Sequence, residues 1–165
     1  MGTTGIFSDA PYRELSALQE DMLRFAFDTC FCFQWSLFGN FVKARVLYLV
    51  DRGLLSPDIC KELKKRERHT EAFLRLIDSG EVFGQSPFKS ILPVQGWTPR
   101  FEECDIHDLD KIRKLRNQLV HAAGSAPTTI DRTDQHYERS MWVLRLFAGN
   151  LDQAVTAKMK SEADS

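Results

Sequence analysis

The chain has 165 residues, 43% of them hydrophobic and 27% charged, with a formal net charge of -1. That length suits one domain built on one core and is cramped for two. The balanced charge excludes a histone-like, polybasic mode of nucleic-acid binding and leaves only a local patch for any RNA contact.

The opening segment lacks the basic stretch and apolar run of a secretory signal, and the most apolar run, 30–38, is far shorter than the about 20 residues that span a bilayer. No membrane association is expected. Cys30, Cys32, Cys60 and Cys104 form no CxxC pair and join no His pair at metal-ligand spacing. They read as free thiols of a reducing, cytoplasmic compartment, and neither a metal nor another cofactor is expected.

Taken in chain order, Ser8 and Asp9 can cap a first helix with Pro11 in its first turn. Leu15, Leu18, Met22, Phe25 and Cys32 then approximate a helical stripe, widened well beyond one face by Phe27, Phe31, Trp35 and Phe38. A helix apolar on most sides must be buried on most sides. In a domain this small, that points to a second copy covering part of it. A kink is expected at Gly39-Asn40 and a stop at Gly53.

Ser56-Pro57-Asp58 opens the next helix, expected to run to Ser79 with Ile59, Leu63, Phe73, Leu74 and Ile77 inward and the charged run 64–69 as a solvated face. From Glu81 to about Glu103 the breakers Gly84, Pro87, Pro93, Gly96 and Pro99 forbid a long helix, yet Phe83, Phe88, Ile91, Leu92, Val94 and Trp97 alternate with them. That segment reads as a long loop packed on the bundle. The carboxylates from Asp105 to Asp110 suit a helix start. This helix is expected to reach about Ala123, with Leu109, Ile112, Leu115, Leu119 and Ala122 inward and Gly124 as its stop. A last helix begins at Asp131, with Tyr137, Met141, Leu144, Phe147 and Leu151 at helical spacing, before a polar, frayed tail over 158–165. The fold class is therefore all-α: one domain over 1–165, core about 9–157, with four main helices and the long packed loop before the third.

On that third helix, at 100° per residue, Asn117 and His121 lie together opposite the core stripe, and Arg116 lies on its flank. Arg113 is near the same face and is the candidate for a further substrate contact, unless it pairs with Asp108 or Asp110. A cationic residue in a helix's last turn also stabilises the helix by itself.

The run Arg116-Asn117-Gln118-Leu119-Val120-His121 resembles the motif of the HEPN superfamily, in which an Arg, usually followed by a polar residue such as Asn, precedes a His near the end of a bundle helix. The helix layout is similar too. The resemblance implies a HEPN-like bundle and a metal-independent endoribonuclease whose composite site forms across a homodimer. Its catalytic residues would be Arg116, Asn117 and His121: His121 moving protons, Arg116 holding the phosphate of an RNA substrate, and Asn117 orienting either. The products would carry a 2′,3′-cyclic phosphate and a 5′-hydroxyl. It also implies a toxin or defence effector held in check by an antitoxin or regulatory protein. Ala123 stands where members regulated by a nucleotidyltransferase carry a Tyr, so that form of regulation is not implied. Because the superfamily includes members without nuclease activity, the alternative is a non-catalytic, dimeric binding or regulatory protein. A helical DNA-binding repressor fits less well, for want of a basic domain and a recognition helix.

Overall fold

The computed structural model describes residues 10–88, 106–121 and 134–163. They form an all-helical bundle of α1 (Ala10–Asp51), α2 (Pro57–Arg66), α3 (Thr70–Asp78), α4 (Ile106–His121) and α5 (Asp134–Ala163). No helix among these residues is long and apolar enough to cross a membrane.

α1 is the spine, 42 residues long and hence about 63 Å at 1.5 Å per residue. It packs on α5, α4 and α3. No proline follows Pro11 until Pro57, so nothing removes a ladder donor within it. At Gly39-Asn40, where a kink is expected, the helix continues without a break. Gly39 serves close approach instead: a Cβ there would stand 3.0 Å from the Thr70 Cγ2 methyl at the start of α3. α1 stops where the sequence predicts. Gly53 adopts φ +68°, its N–H donates to Val50 O at 3.0 Å, and the Leu54 N–H donates to Leu49 O at 3.0 Å. That pair of bonds is a Schellman cap.

The single helix expected over 56–79 is two. Ser56 caps α2, its Oγ accepting from the Ile59 N–H at 3.4 Å, but the helix ends at Arg66 and α3 restarts at Thr70. Between Leu63 and Phe73, both fully buried, the chain offers only charged and polar side chains and Ala72. With no large apolar anchor there, the axis is free to turn. The tail expected to fray is also helical, since α5 runs on to Ala163, with Val155 buried and Met159 packed against the core.

The core joins Phe31, Trp35, Phe38, Val42, Val46 and Leu49 of α1 to Leu63, the inner face of α3, Leu109, Ile112 and Leu119 of α4, and Val143, Leu144, Phe147, Leu151 and Val155 of α5. The inward residues expected on α4 and α5 are buried or half-buried, Ala122 lying outside the described residues. On α1 the expected stripe is reversed: Leu15, Leu18, Met22 and Phe25 are 52–73% exposed, since no other helix among the described residues buries that end.

The first part of the 81–103 loop does pack. Ser86 Oγ donates to Asp78, and the Phe88 N–H donates to Ser86 Oγ at 3.1 Å. Phe88, fully buried, meets Phe38 at 6.4 Å and Phe147 edge-on at 5.7 Å between ring centroids. Ile91, Leu92, Val94 and Trp97, and the expected start at Asp131 and stop at Gly124, lie outside the described residues. Phe88→Ala is expected to lower unfolding free energy by about 3–5 kcal/mol, the usual cost of emptying a buried phenyl site. Urea denaturation measures this; a loss under about 1 kcal/mol would mean that the loop rests on the bundle without anchoring there.

Candidate functional site

α4 leaves the core stripe on one side and carries Arg113, Arg116 and Asn117 along a cleft of about 360 Å³. The opposite wall is Trp35, Ser36, Gly39 and Asn40 of α1, and the end is closed by Thr70 and Glu71 of α3. Gly39 matters here as well, since its bare Cα lets α3 close that end.

The two arginines differ in their electrostatic surroundings. Arg113 Nη1 lies 3.1 Å from Glu71 Oε2 and its Nε 3.6 Å from Asp110 Oδ1. Arg75 joins the same group, 3.1 Å from Glu71 and 3.7 Å from Asp110. So Arg113 pairs with Asp110, one of the two partners the spacing allowed, and with Glu71, which only the fold brings near. Asp108 faces elsewhere, 3.5 Å from both Lys111 and Arg139, so it ties α4 to α5 rather than serving the helix start alone.

Arg116 has no carboxylate partner among the described residues. Its Nη1 donates to Asn117 Oδ1 at 2.9 Å, and its Nε is buried with no acceptor among the described residues. A half-buried guanidinium with spare donors and no counter-ion is suited to an anion, above all a phosphate with its several acceptor oxygens. Ser36, Asn40 and Thr70 supply neutral polar groups around it.

Asn117, expected to face outward, is half-buried because α1 covers that flank; His121 is exposed as expected, in the last turn of α4. The cleft thus gathers Arg113, Arg116 and Asn117, while His121 is not among the residues that line it. Sequence reasoning missed the α1 wall. Ser36 and Asn40 sit four apart, a helical spacing that marks one face, but nothing in the sequence tells that α4 lies against it.

Cys32, half-buried on α1, reports on the same place. Burial raises its thiol pKa; the Arg116 guanidinium pulls it down and Asp28 pushes it up again. Cys30, Cys32 and Cys60 are all free thiols, and Cys104 lies outside the described residues. Among the described residues no cluster of three or more His, Cys, Asp and Glu is placed to hold a metal ion.

Arg116→Ala removes the cation that lowers the pKa of that thiol, so its titration midpoint is expected to move to higher pH. The pH profile of alkylation, in a chain whose other three cysteines are serine, measures this; an unchanged or lower midpoint would mean that the guanidinium is directed away from Cys32. Compared with models of protein families, with curated proteins and with solved structures, the chain matches none.

Proposed function

We propose that the protein is a ribonuclease of HEPN type, working as a dimer without metal, in which Arg116, Asn117 and His121 act on a phosphodiester of RNA. The observation that carries this reading is Arg116: a half-buried cation, free of carboxylates among the described residues, facing a polar cleft beside Asn117. Holding such a charge without a counter-ion costs stability, and a transferring phosphate is a ligand that repays it.

In the reaction the 2′-hydroxyl attacks the adjacent phosphorus, and the bond from phosphorus to the 5′ oxygen breaks. An imidazole accepts the 2′ proton or protonates the departing 5′ oxygen, the two roles complementing each other where two protomers each supply a His121. Arg116 binds the non-bridging oxygens, whose negative charge grows as the phosphorus becomes five-coordinate. Asn117, its Oδ1 engaged by Arg116, keeps its amide N–H groups for a substrate oxygen and fixes the guanidinium plane. Arg113 contacts a phosphate only by giving up Glu71, which makes it an auxiliary contact.

A second reading rests on His121, exposed and outside the cleft lining. On that reading the dimer binds a phosphate-bearing ligand through Arg116 and cleaves nothing, as a regulatory module held by a partner protein.

Purified protein incubated with mixed cellular RNA in EDTA is expected to leave cyclic-phosphate ends. Arg116→Ala and His121→Ala are each expected to slow cleavage by about 100-fold or more, the usual cost of losing a charge-stabilising or proton-transferring group. Absence of cleavage by folded, dimeric wild type would reject the nuclease and favour the binding module.

A further inference from the structure

The break between α2 and α3 brings a basic surface to the closed end of the Arg116 cleft. Thr70 closes that end and is also the first residue of α3, so the residues just before it come straight from α2. From 61 to 69 the chain carries Lys61, Lys64, Lys65, Arg66 and Arg68 against Glu62 and Glu67, a net of +3 within a chain whose net charge is -1.

The fold sorts these charges. Leu63 holds α2 to the core, fully buried, and at 100° per residue Lys61, Lys64 and Lys65 lie about 100–160° round the helix from it. All three are exposed, as is Arg68 in the turn that follows. Glu62 is drawn off by Arg66, with which it forms an ion pair along the helix. Asp58 at one end and the C-cap residue Glu67 are the acids left beside this face, so three lysines and an arginine outnumber them two to one.

The same face runs up to the cleft. Arg68 is two residues from Thr70, so their Cα atoms are at most about 8 Å apart. His69 between them makes no side-chain cap to α3, and the positive end of that helix's dipole adds to the potential beside Thr70. The carboxylates at this corner, Glu71 and Asp110, are matched by Arg75 and Arg113, so they set no uncompensated negative charge between the cleft and the basic turn.

Cations strung along a face suit phosphates repeated along a chain better than a lone phosphate. A cleft of about 360 Å³ between two helices admits one backbone, which selects a single strand over a duplex. No aromatic residue stands from 61 to 69, so the run holds phosphates and stacks no bases, and its contacts carry no sequence preference. We infer that a single strand of RNA seated at Arg116 runs on past Thr70 and lays its neighbouring phosphates against Arg68, Lys65 and Lys64. The inference rests on the Arg116 cleft of the functional reading and adds the course of the strand beyond it.

Binding of single-stranded 2′-deoxy oligonucleotides, which lack the hydroxyl needed for cleavage, tests this. Wild type is expected to bind a strand of about 12 nucleotides about tenfold or more tightly than a dinucleotide, whose one phosphate occupies the cleft alone. The triple variant Lys64→Ala, Lys65→Ala, Arg68→Ala is expected to lose most of that preference, with unchanged helicity by circular dichroism. For the long strand it is also expected to lower the slope of log affinity against log salt by about 2, at about 0.7 per phosphate contact. No binding of the long strand, equal affinity for both lengths, or a triple variant that keeps the preference and the slope would overturn the proposal. Loss of binding to phosphatidylserine vesicles in the triple variant, with strand binding intact, would give the face to a membrane surface and overturn it too. RNA cleavage by the same samples keeps the readings apart. A length preference that depends on the three residues, without cleavage by wild type, sinks the nuclease and supports the strand's course; Arg116→Ala weakening both lengths while the triple variant changes neither keeps the cleft and removes its extension.

Discussion

One helix with two apolar faces sets the terms for the rest of this molecule. α1 presents its inner face to α3, α4 and α5, and the aromatics Phe31, Trp35 and Phe38 on that face are buried in the core. Toward the start of α1, a helix 42 residues long, the large apolar side chains from Leu15 to Phe25 are more than half exposed among the described residues. An isolated helix of that kind is marginal in water.

The same helix makes the cleft. By running beside α4 it half-covers Arg116 and Asn117, and by presenting Gly39 it lets α3 bring Glu71 up to Arg113. The carboxylates of the region are divided unevenly. Glu71 and Asp110 neutralise Arg75 and Arg113, Asp108 binds Lys111 and Arg139, and Asp152 holds Arg45 at 2.6 Å to tie α1 to α5. Arg116 alone of the cleft's cations is left with a neutral amide. That division turns a mixed-charge surface, on a chain whose net charge is close to zero, into a local site for an anion.

Helix content and most inward positions were legible in the sequence, because burial on one face imposes a 3.6-residue period that Leu109, Ile112, Leu119, Leu144, Phe147 and Leu151 obey. α1 defeated that logic in part: with two apolar faces, periodicity cannot say which is inner, and Leu15 to Phe25 were assigned to the wrong one. Gly39 was read by its backbone propensity, when its role is a tertiary contact with Thr70 that no local pattern reveals. The break after Arg66 was missed because it follows from missing core anchors rather than from a proline or glycine. At the site, the spacing of Arg116, Asn117 and His121 was visible, but the uncompensated charge of Arg116 was not, since it depends on Glu71 choosing Arg113 from another helix.

The most direct test of the cleft as an anion site is the affinity of the protein for a 2′-deoxy oligonucleotide, which can bind there but offers no 2′-hydroxyl for cleavage. The account predicts binding that weakens as salt rises and that Arg116→Ala lowers by about tenfold or more. Binding that Arg116→Ala leaves unchanged would contradict the assignment of Arg116 as the phosphate contact.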